Sequence, residues 1–571
     1  VLVVSRNAGQ PNRLDAFRDV LNRNLAGDNI RPRQPAFIRR GGVSAALLNP
    51  NSAARLQDAS IAIGTLLEPG DDWHVPGAAL PDGSFALLRA DDTRVELAAD
   101  SVGSRTLWYA LTEQELIASS SQRAIVTLLG SFEPNRDVLP WMLSSGTLGP
   151  TAAWDRRVRR VEPGERVLLD RASWRLTSKV EPSEFAADDL ASRATQLERL
   201  RAAVVGACRR WSFDARKWVL TLSGGWDSRS LLCLLRERGI EAVTWGRPES
   251  AEEKGSDAEI ARQVAAALAV RHRFFAIASR CAPEVTFDRF VAHGEGRVAR
   301  ISGYIDGFDV WKTLFDEGYD GVIRGDEAFG SIPVTSAYGA RWTAGLTTLA
   351  DFYSAAECEA FELPEQTSPA RLARGRDETI ATWRDRLYQQ FRVPTVLAGL
   401  TDLKAAYVEV GNPLLSQSVL QCVRALPDEL RTGKRLWKEL VATQLPNVAF
   451  ATQVAIPSLK EYLADRRVIE LILDELSSER AAGIFTPLLR ARCCAALRAE
   501  LRAPHSRDGS RGSLFAQAVP KRLRMAVRHW RAPYRGIDAL ALAFRAAVAT
   551  RMHGILAADA AVRGVQPAVN A

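Results

Sequence analysis

The sequence predicts an α/β protein in two units: an antiparallel sheet first, then a doubly wound parallel sheet that runs out into helices. Three observations predict it. Short alternating strands broken by Asp, Gly and Ser turns fill Ser84 to Ser121, strand and helix alternate from Lys217 onward, and the pattern is mainly helical after about residue 334. Between the two rhythms, S-K-V-E-P-S-E-F-A-A-D-D-L-A-S (Ser178 to Ser192) is polar and unpatterned, giving units of 1–190 and 191–571.

In the first unit, F-A-L-L-R-A, R-V-E-L-A-A-D, R-T-L-W-Y-A-L and E-L-I-A-S-S-S follow one another as strands of one antiparallel sheet. Arg160 to Asp170 (R-V-E-P-G-E-R-V-L-L-D) reads as a further strand pair turned by Pro-Gly. In the second unit, Lys217 to Leu222 is a short apolar strand, Ser228 to Arg238 an apolar-faced helix, and Glu241 to Trp245 the next strand. Ser256 to Val270 is an amphipathic helix with Ser256 as N-cap and Glu259 three residues on, and R-H-R-F-F-A-I returns as strand. Such alternation implies parallel strands whose ligand sites lie at their C-terminal ends.

Composition narrows the function classes. The chain has 571 residues, 47% hydrophobic and 25% charged, enough for more than one core. The net charge of +8 and pI near 9.2 come mostly from arginine and are mild for this length, so nucleic acid is not an expected partner. The densest basic stretch, Pro520 to Arg535, reads as an amphipathic helix, either a docking face for a partner or nucleic acid or, as such helices more often are, packed on its own domain. Seven scattered cysteines without a C-x-x-C pair, and six unclustered histidines, indicate neither a zinc site nor a disulfide framework. No apolar run is expected to approach the roughly 18 residues of a membrane span. The start lacks the features of a signal peptide, so a cytoplasmic protein without a membrane partner is expected.

The chemistry concentrates in L-T-L-S-G-G-W-D-S-R-S (Leu220 to Ser230). Gly224 and Gly225 let the chain turn sharply and bring backbone N–H groups close to a ligand. The helix starting near Ser228 adds partial positive charge, and the hydroxyls of Ser223 and Ser228 add donors, so the loop reads as a phosphate site. A carboxylate there would repel phosphate, and Asp227 therefore makes sense as a Mg²⁺ ligand bridging to it.

S-G-G-W-D-S resembles the pyrophosphate loop, S-G-G-x-D-S, of enzymes that split ATP between its α and β phosphates. Within them the chain resembles the asparagine synthetase superfamily, which includes β-lactam synthetases and lasso peptide cyclases. A-A-D-S-V-G-S-R-T-L-W-Y (Ala98 to Tyr109) and I-A-S-S-S-Q-R-A-I (Ile117 to Ile125) are similar to its upstream segments. V-I-R-G-D-E-A-F-G (Val322 to Gly330) is similar to G-x-G-x-D-E-L-F-G-G. G-N-P-L-L-S-Q (Gly411 to Gln417) and A-L-P-D-E-L-R-T-G-K-R-L-W-K-E-L (Ala425 to Leu440) are similar to segments further on. The resemblance implies a glutaminase-like (Ntn-type) antiparallel β-sandwich as first domain. It implies ATP and Mg²⁺ as cofactors, with Asp227 and Asp326 as metal ligands. It also implies nucleotide contacts from Leu222, Ser223, Gly224, Gly225, Ser228, Val243 and Gly325, a catalytic role for Glu327, and a Lys434 that faces the pyrophosphate.

Departures from the family pattern choose among its members. A working glutaminase needs an N-terminal cysteine, whereas Val1 leads this sequence and no cysteine precedes Cys208. A catalytically silent first domain is expected. The family's other catalytic lysine has no counterpart in Leu445 to Lys460, where Lys460 is the nearest, and its acid–base position falls on Ile323 or Arg324. An α-amino group, with a pKa of about 7.7–8.0, needs little help from a base. The expected function is thus a lasso peptide cyclase joining an activated Asp or Glu side chain to the peptide's N-terminal amine. Its expected partners are the precursor peptide and a leader-peptide protease or leader-binding protein. The alternatives are a β-lactam synthetase or ammonia-dependent synthetase, a nucleotide-binding scaffold without turnover, and, with least support, a tRNA-modifying pyrophosphatase.

Overall fold

The computed structural model describes residues 1–7, 13–150, 152–279, 281–445, 447–502 and 536–564. The basic stretch Pro520 to Arg535 lies outside them. Two six-stranded sheets with antiparallel pairings throughout make up the first unit. One runs Arg159–Arg160, Trp108–Leu111, Glu115–Ser119, Leu2–Ser5, Val43–Leu47, Ala36–Arg40 in spatial order. The other runs Arg175–Val180, Glu165–Asp170, Arg94–Ala99, Asp82–Ala90, Ser60–Leu67, Arg55–Gln57. Leu2, Val4 and Ala45 of the first sheet pack against Leu88, Val95 and Leu97 of the second as a shared core. Val3 points the other way, into a cluster with Leu14 and Ile125 from the helices Arg13–Leu25 and Gln122–Leu129. L-V-V-S is therefore buried at every residue because its sheet is covered on both faces.

Two sequence expectations need correction here. Ser84 to Ser121 does not form one sheet: its first two strands belong to one layer and its last two to the other. The break falls at Asp100, whose buried carboxylate accepts from the amides of Phe85, Val102 and Ser104 and from the Ser104 hydroxyl, wrapping the chain into a turn that crosses between layers. Likewise Arg160 to Asp170 is not a strand pair, since Arg159–Arg160 pairs with Trp108–Leu111 while Glu165–Asp170 lies between Arg94–Ala99 and Arg175–Val180.

The second sheet system is five-stranded and parallel, in the order His272–Ala276, Glu241–Gly246, Trp218–Thr221, Gly321–Ile323, Glu409–Gly411. Counted along the chain this is 3-2-1-4-5, so the order reverses between Trp218–Thr221 and Gly321–Ile323, and a crevice opens at the carboxyl ends of those two strands. The last strand sits in the region expected to be helical. Three residues long, it was too short to register as a pattern. Its Glu409 accepts from Gly64 N–H at 3.3 Å and pairs with Arg105 at 3.2 Å, tying the parallel sheet to the sandwich.

Ala539–Ala560 also departs from expectation, being long and apolar enough to cross a membrane. In the fold, 61% of its apolar window is buried: Phe544 packs on Phe287 and Phe290, and Asp559 pairs with Arg123 at 2.7 Å.

Arg105 is buried between Glu409 and Asp402. Arg105→Ala leaves Glu409 buried without its cation and is expected to cost about 3–5 kcal/mol. Urea denaturation reads this as a lowered midpoint, and an unchanged midpoint would mean that the acid is compensated by another group.

Candidate active site at the sheet's switch point

Trp218–Thr221 is a core strand of large apolar residues, and the chain leaves it through Leu222 and Ser223 into the helix Asp227–Leu235. The turn between is closed by its own hydroxyls. Ser228 Oγ accepts from Ser223 N–H at 3.0 Å and sits 3.0 Å from Ser223 Oγ, which accepts from Gly225 N–H at 3.2 Å. No side chain caps the helix start at Trp226, so its first amides are left for a ligand. A Cβ on Gly224 would lie 2.4 Å from Ala451 Cβ. The loop Phe450 to Ile456 thus packs directly on the turn. It is fixed there by Ala451 N–H donating to Gly224 O at 3.0 Å, by Arg229 donating to Val448 O at 2.8 Å, and by Phe450 stacked on Trp226 at 3.6 Å.

The neighbouring strand Gly321–Ile323 ends in Arg324-Gly325-Asp326-Glu327. A Cβ on Gly325 would sit 2.9 Å from Ser228 N and 3.0 Å from Asp227 Cβ, so only glycine lets this loop lie against the first turn of the helix. Asp227 and Asp326 are thereby brought to the wall of one cavity of about 570 Å³, together with Leu222, Ser223, Ser228, Gly325 and Arg324. Across it stand Thr244, Trp245, Tyr304, Trp311, Leu400 and Lys404, with Val454 and Ile456 at the edge. Val243 lies in the strand core beneath, where its carbonyl accepts from Leu222 N–H at 2.8 Å.

Asp227 is held by two donors. Trp437 Nε1 donates to Oδ1 at 2.7 Å and Lys434 Nζ to Oδ2 at 3.0 Å. Trp437 is aimed by its stack on Phe329, at 4.1 Å between ring centroids, and Lys434 pairs with Glu327 at 2.7 Å as well. Lys434, expected to face pyrophosphate, bridges the two carboxylates. Burial disfavours its charge, but Glu327 and Asp227 outweigh that and hold the ammonium above its ordinary range. Burial pushes Glu327 up to about 7, with Lys434 opposing and Asp227 adding. Asp326 pairs with Arg324 at 3.2 Å.

The donor set suits Mg²⁺. That ion takes one or two carboxylates and otherwise water and phosphate oxygens, and each carboxylate has about four acceptor sites, so Asp227 and Asp326 keep capacity beyond their present partners. Among the described residues no group of three or more His, Cys, Asp or Glu side chains is placed to enclose a metal.

Sequence reasoning missed the far wall. Tyr304, Trp311 and Lys404 come from separate helical segments, and the only signal for Lys404 is a lysine four residues after Leu400 on the buried face of A-G-L-T-D-L-K-A. Lys460, the nearest lysine to the family's position, is exposed at the start of Leu459–Tyr462 and does not line the cavity.

A parallel sheet with an S-G-G-x-D-S turn and a second acidic loop at its switch point makes a doubly wound α/β fold with its site where ligands bind in such sheets. The chain belongs to the asparagine synthase family, whose model matches residues 199–514. No curated protein matches the chain.

Glu327 gives a signed pH dependence. Between its ordinary value of 4.5 and about 7 the folded chain keeps a proton that the unfolded chain releases. This group's contribution to stability is therefore fully present below that window and is lost as pH rises through it. Lys434→Met removes the opposing cation and should carry the fall to higher pH, read from urea midpoints at several pH values; profiles that run parallel would count against the pairing. Gly325→Ala should cost about 1–3 kcal/mol because its Cβ meets backbone, and a wild-type melting temperature would show that the loop can move aside.

Proposed function

We propose that this ligase-family chain is an ATP-dependent macrolactam synthetase of the lasso peptide cyclase type. It activates an Asp or Glu side chain of a precursor peptide as the adenylate, releases pyrophosphate, and joins the carbonyl to the peptide's N-terminal amine with release of AMP. One observation carries the reading. The cavity sets the two aspartates and the serine turn on one side and an aromatic wall on the other, and its edge is apolar and exposed at Val454 and Ile456. A free amino acid has no use for an apolar rim outside its pocket. A peptide does, because its remote residues supply the binding energy that positions the reacting groups.

Asp227 and Asp326 would hold Mg²⁺, whose positive charge would offset that of a leaving pyrophosphate. The uncapped helix start and the Ser223–Ser228 hydroxyls would hold phosphate oxygens. Carboxyl and amine belong to one molecule, so a peptide held prefolded brings them together at high effective concentration, and this does much of the work of the second step. The reading assigns the chain two partners, the precursor peptide and a protein that removes or binds its leader.

The test supplies ATP, Mg²⁺ and candidate peptides, and asks whether AMP rather than ADP forms while a peptide loses the mass of one water. Turnover of a free amino acid with no peptide present would favour a β-lactam or ammonia-dependent synthetase, and production of ADP would sink both. Asp227→Asn and Asp326→Asn should each lower AMP formation by on the order of 100-fold or more. A variant that keeps ordinary activity removes that residue from the site.

A further inference from the structure

Lys404, on the helix Ala398–Ala405, is 1% exposed and lines the cavity wall opposite the serine turn. Its Nζ donates to the Tyr304 hydroxyl at 2.8 Å and to the Leu400 carbonyl, and lies 5.4 and 5.3 Å from the ring centroids of Tyr304 and Trp311. Among the described residues no carboxylate lies within ion-pair distance of it. The charged groups that face it are Arg324, which disfavours an ammonium, and Asp326, which favours one, and Arg300 lines the same cavity. Burial outweighs both and holds the amine well below the ordinary lysine range. Burial also pushes the Tyr304 hydroxyl up, so it stays protonated and supplies no counter-charge.

A lysine in this position is poor at neutralising a phosphate and well placed to take up a proton. The aromatic faces beside it stabilise the ammonium once it forms. Resting on the ligation reading above, and because an α-amino group needs little help to lose its first proton, we propose that Lys404 receives the second one, shed as the nitrogen bonds to the acyl carbon. The amine nitrogen bonds to the acyl carbon, the bond from that carbon to the adenylate oxygen breaks, and its electron pair leaves with AMP. One N–H proton passes to Nζ and is returned to solvent before the next turnover.

Competitive acetylation of the whole chain by acetic anhydride from pH 6 to 10, read lysine by lysine by mass spectrometry, needs no peptide. The chain has nine lysines, and exposed Lys254 and Lys460 serve as internal standards. The expected result is that Lys404 reaches half its maximal labelling rate at least one pH unit below both. Half-maximal labelling at the same pH as the standards, or no labelling at any pH, overturns the proposal.

With a peptide that the chain ligates, Lys404→Met should lower ligation at least 100-fold more than it lowers ATP–pyrophosphate exchange, and Lys404→Arg should not restore ligation. Rescue by arginine would assign a fixed charge instead. Equal losses of exchange and ligation, with near-native melting of the variant, would place Lys404 in the first half-reaction. A wild-type chain that ligates no peptide sinks the ligation reading and this role with it, whereas ligation by Lys404→Met at the wild-type rate sinks this role alone.

Discussion

The site depends on how one carboxylate is held. Asp227 opens a helix at the switch point of a parallel sheet, where backbone amides and a helix start favour an anion, and its charge is tolerable there because Lys434 and Trp437 grip one oxygen each. Both grips have supports of their own. Trp437 is stacked on Phe329, and Phe329 N–H donates to the Glu327 carboxylate that shares Lys434. Two acidic residues, one lysine and two rings from three chain segments thus form a closed circuit, and losing Lys434 leaves the buried Glu327 without its cation.

The cavity is electrostatically divided. On the turn side, acids and uncapped amides suit a metal-bound polyphosphate. On the opposite side, burial suppresses charge, as with Lys404 held low and Tyr304 held protonated. Phosphoryl chemistry needs charge stabilisation and amine attack needs a proton acceptor, and the two demands conflict if one lysine must meet both. Here Glu327 and Asp227 hold Lys434 above the ordinary lysine range while burial holds Lys404 below it, so the two lysines differ in character as well as in place.

What was legible in the sequence was what is local in the chain. Ser223 to Ser228 could be read as strand, glycine turn and helix start because these follow within a few residues, and Asp326 because Val322 to Gly330 is similar to a family segment and comes in order behind S-G-G-x-D-S. The crossing at Asp100 could not be read, since a buried carboxylate collecting amides looks like any aspartate in a turn. Nor could the strand Glu409–Gly411, whose three residues are recruited by the neighbouring strand and the sandwich rather than by their own pattern. The aromatic wall was illegible for the same reason: Trp245, Tyr304 and Trp311 are brought together by packing, with no spacing to announce them. Ala539–Ala560 was overlooked as an apolar run, and its composition reflects a core helix that packs most of its surface away.

The docking of Phe450 to Ile456 on the serine turn bears on how this enzyme can diversify. The root of that loop shares backbone hydrogen bonds and ring stacking with the turn, so a change there would disturb both. Its tips do not, for Val454 and Ile456 leave their side chains at the surface. Substitution of these two apolar tips therefore reshapes the lip of the cavity while the turn beneath keeps its contacts.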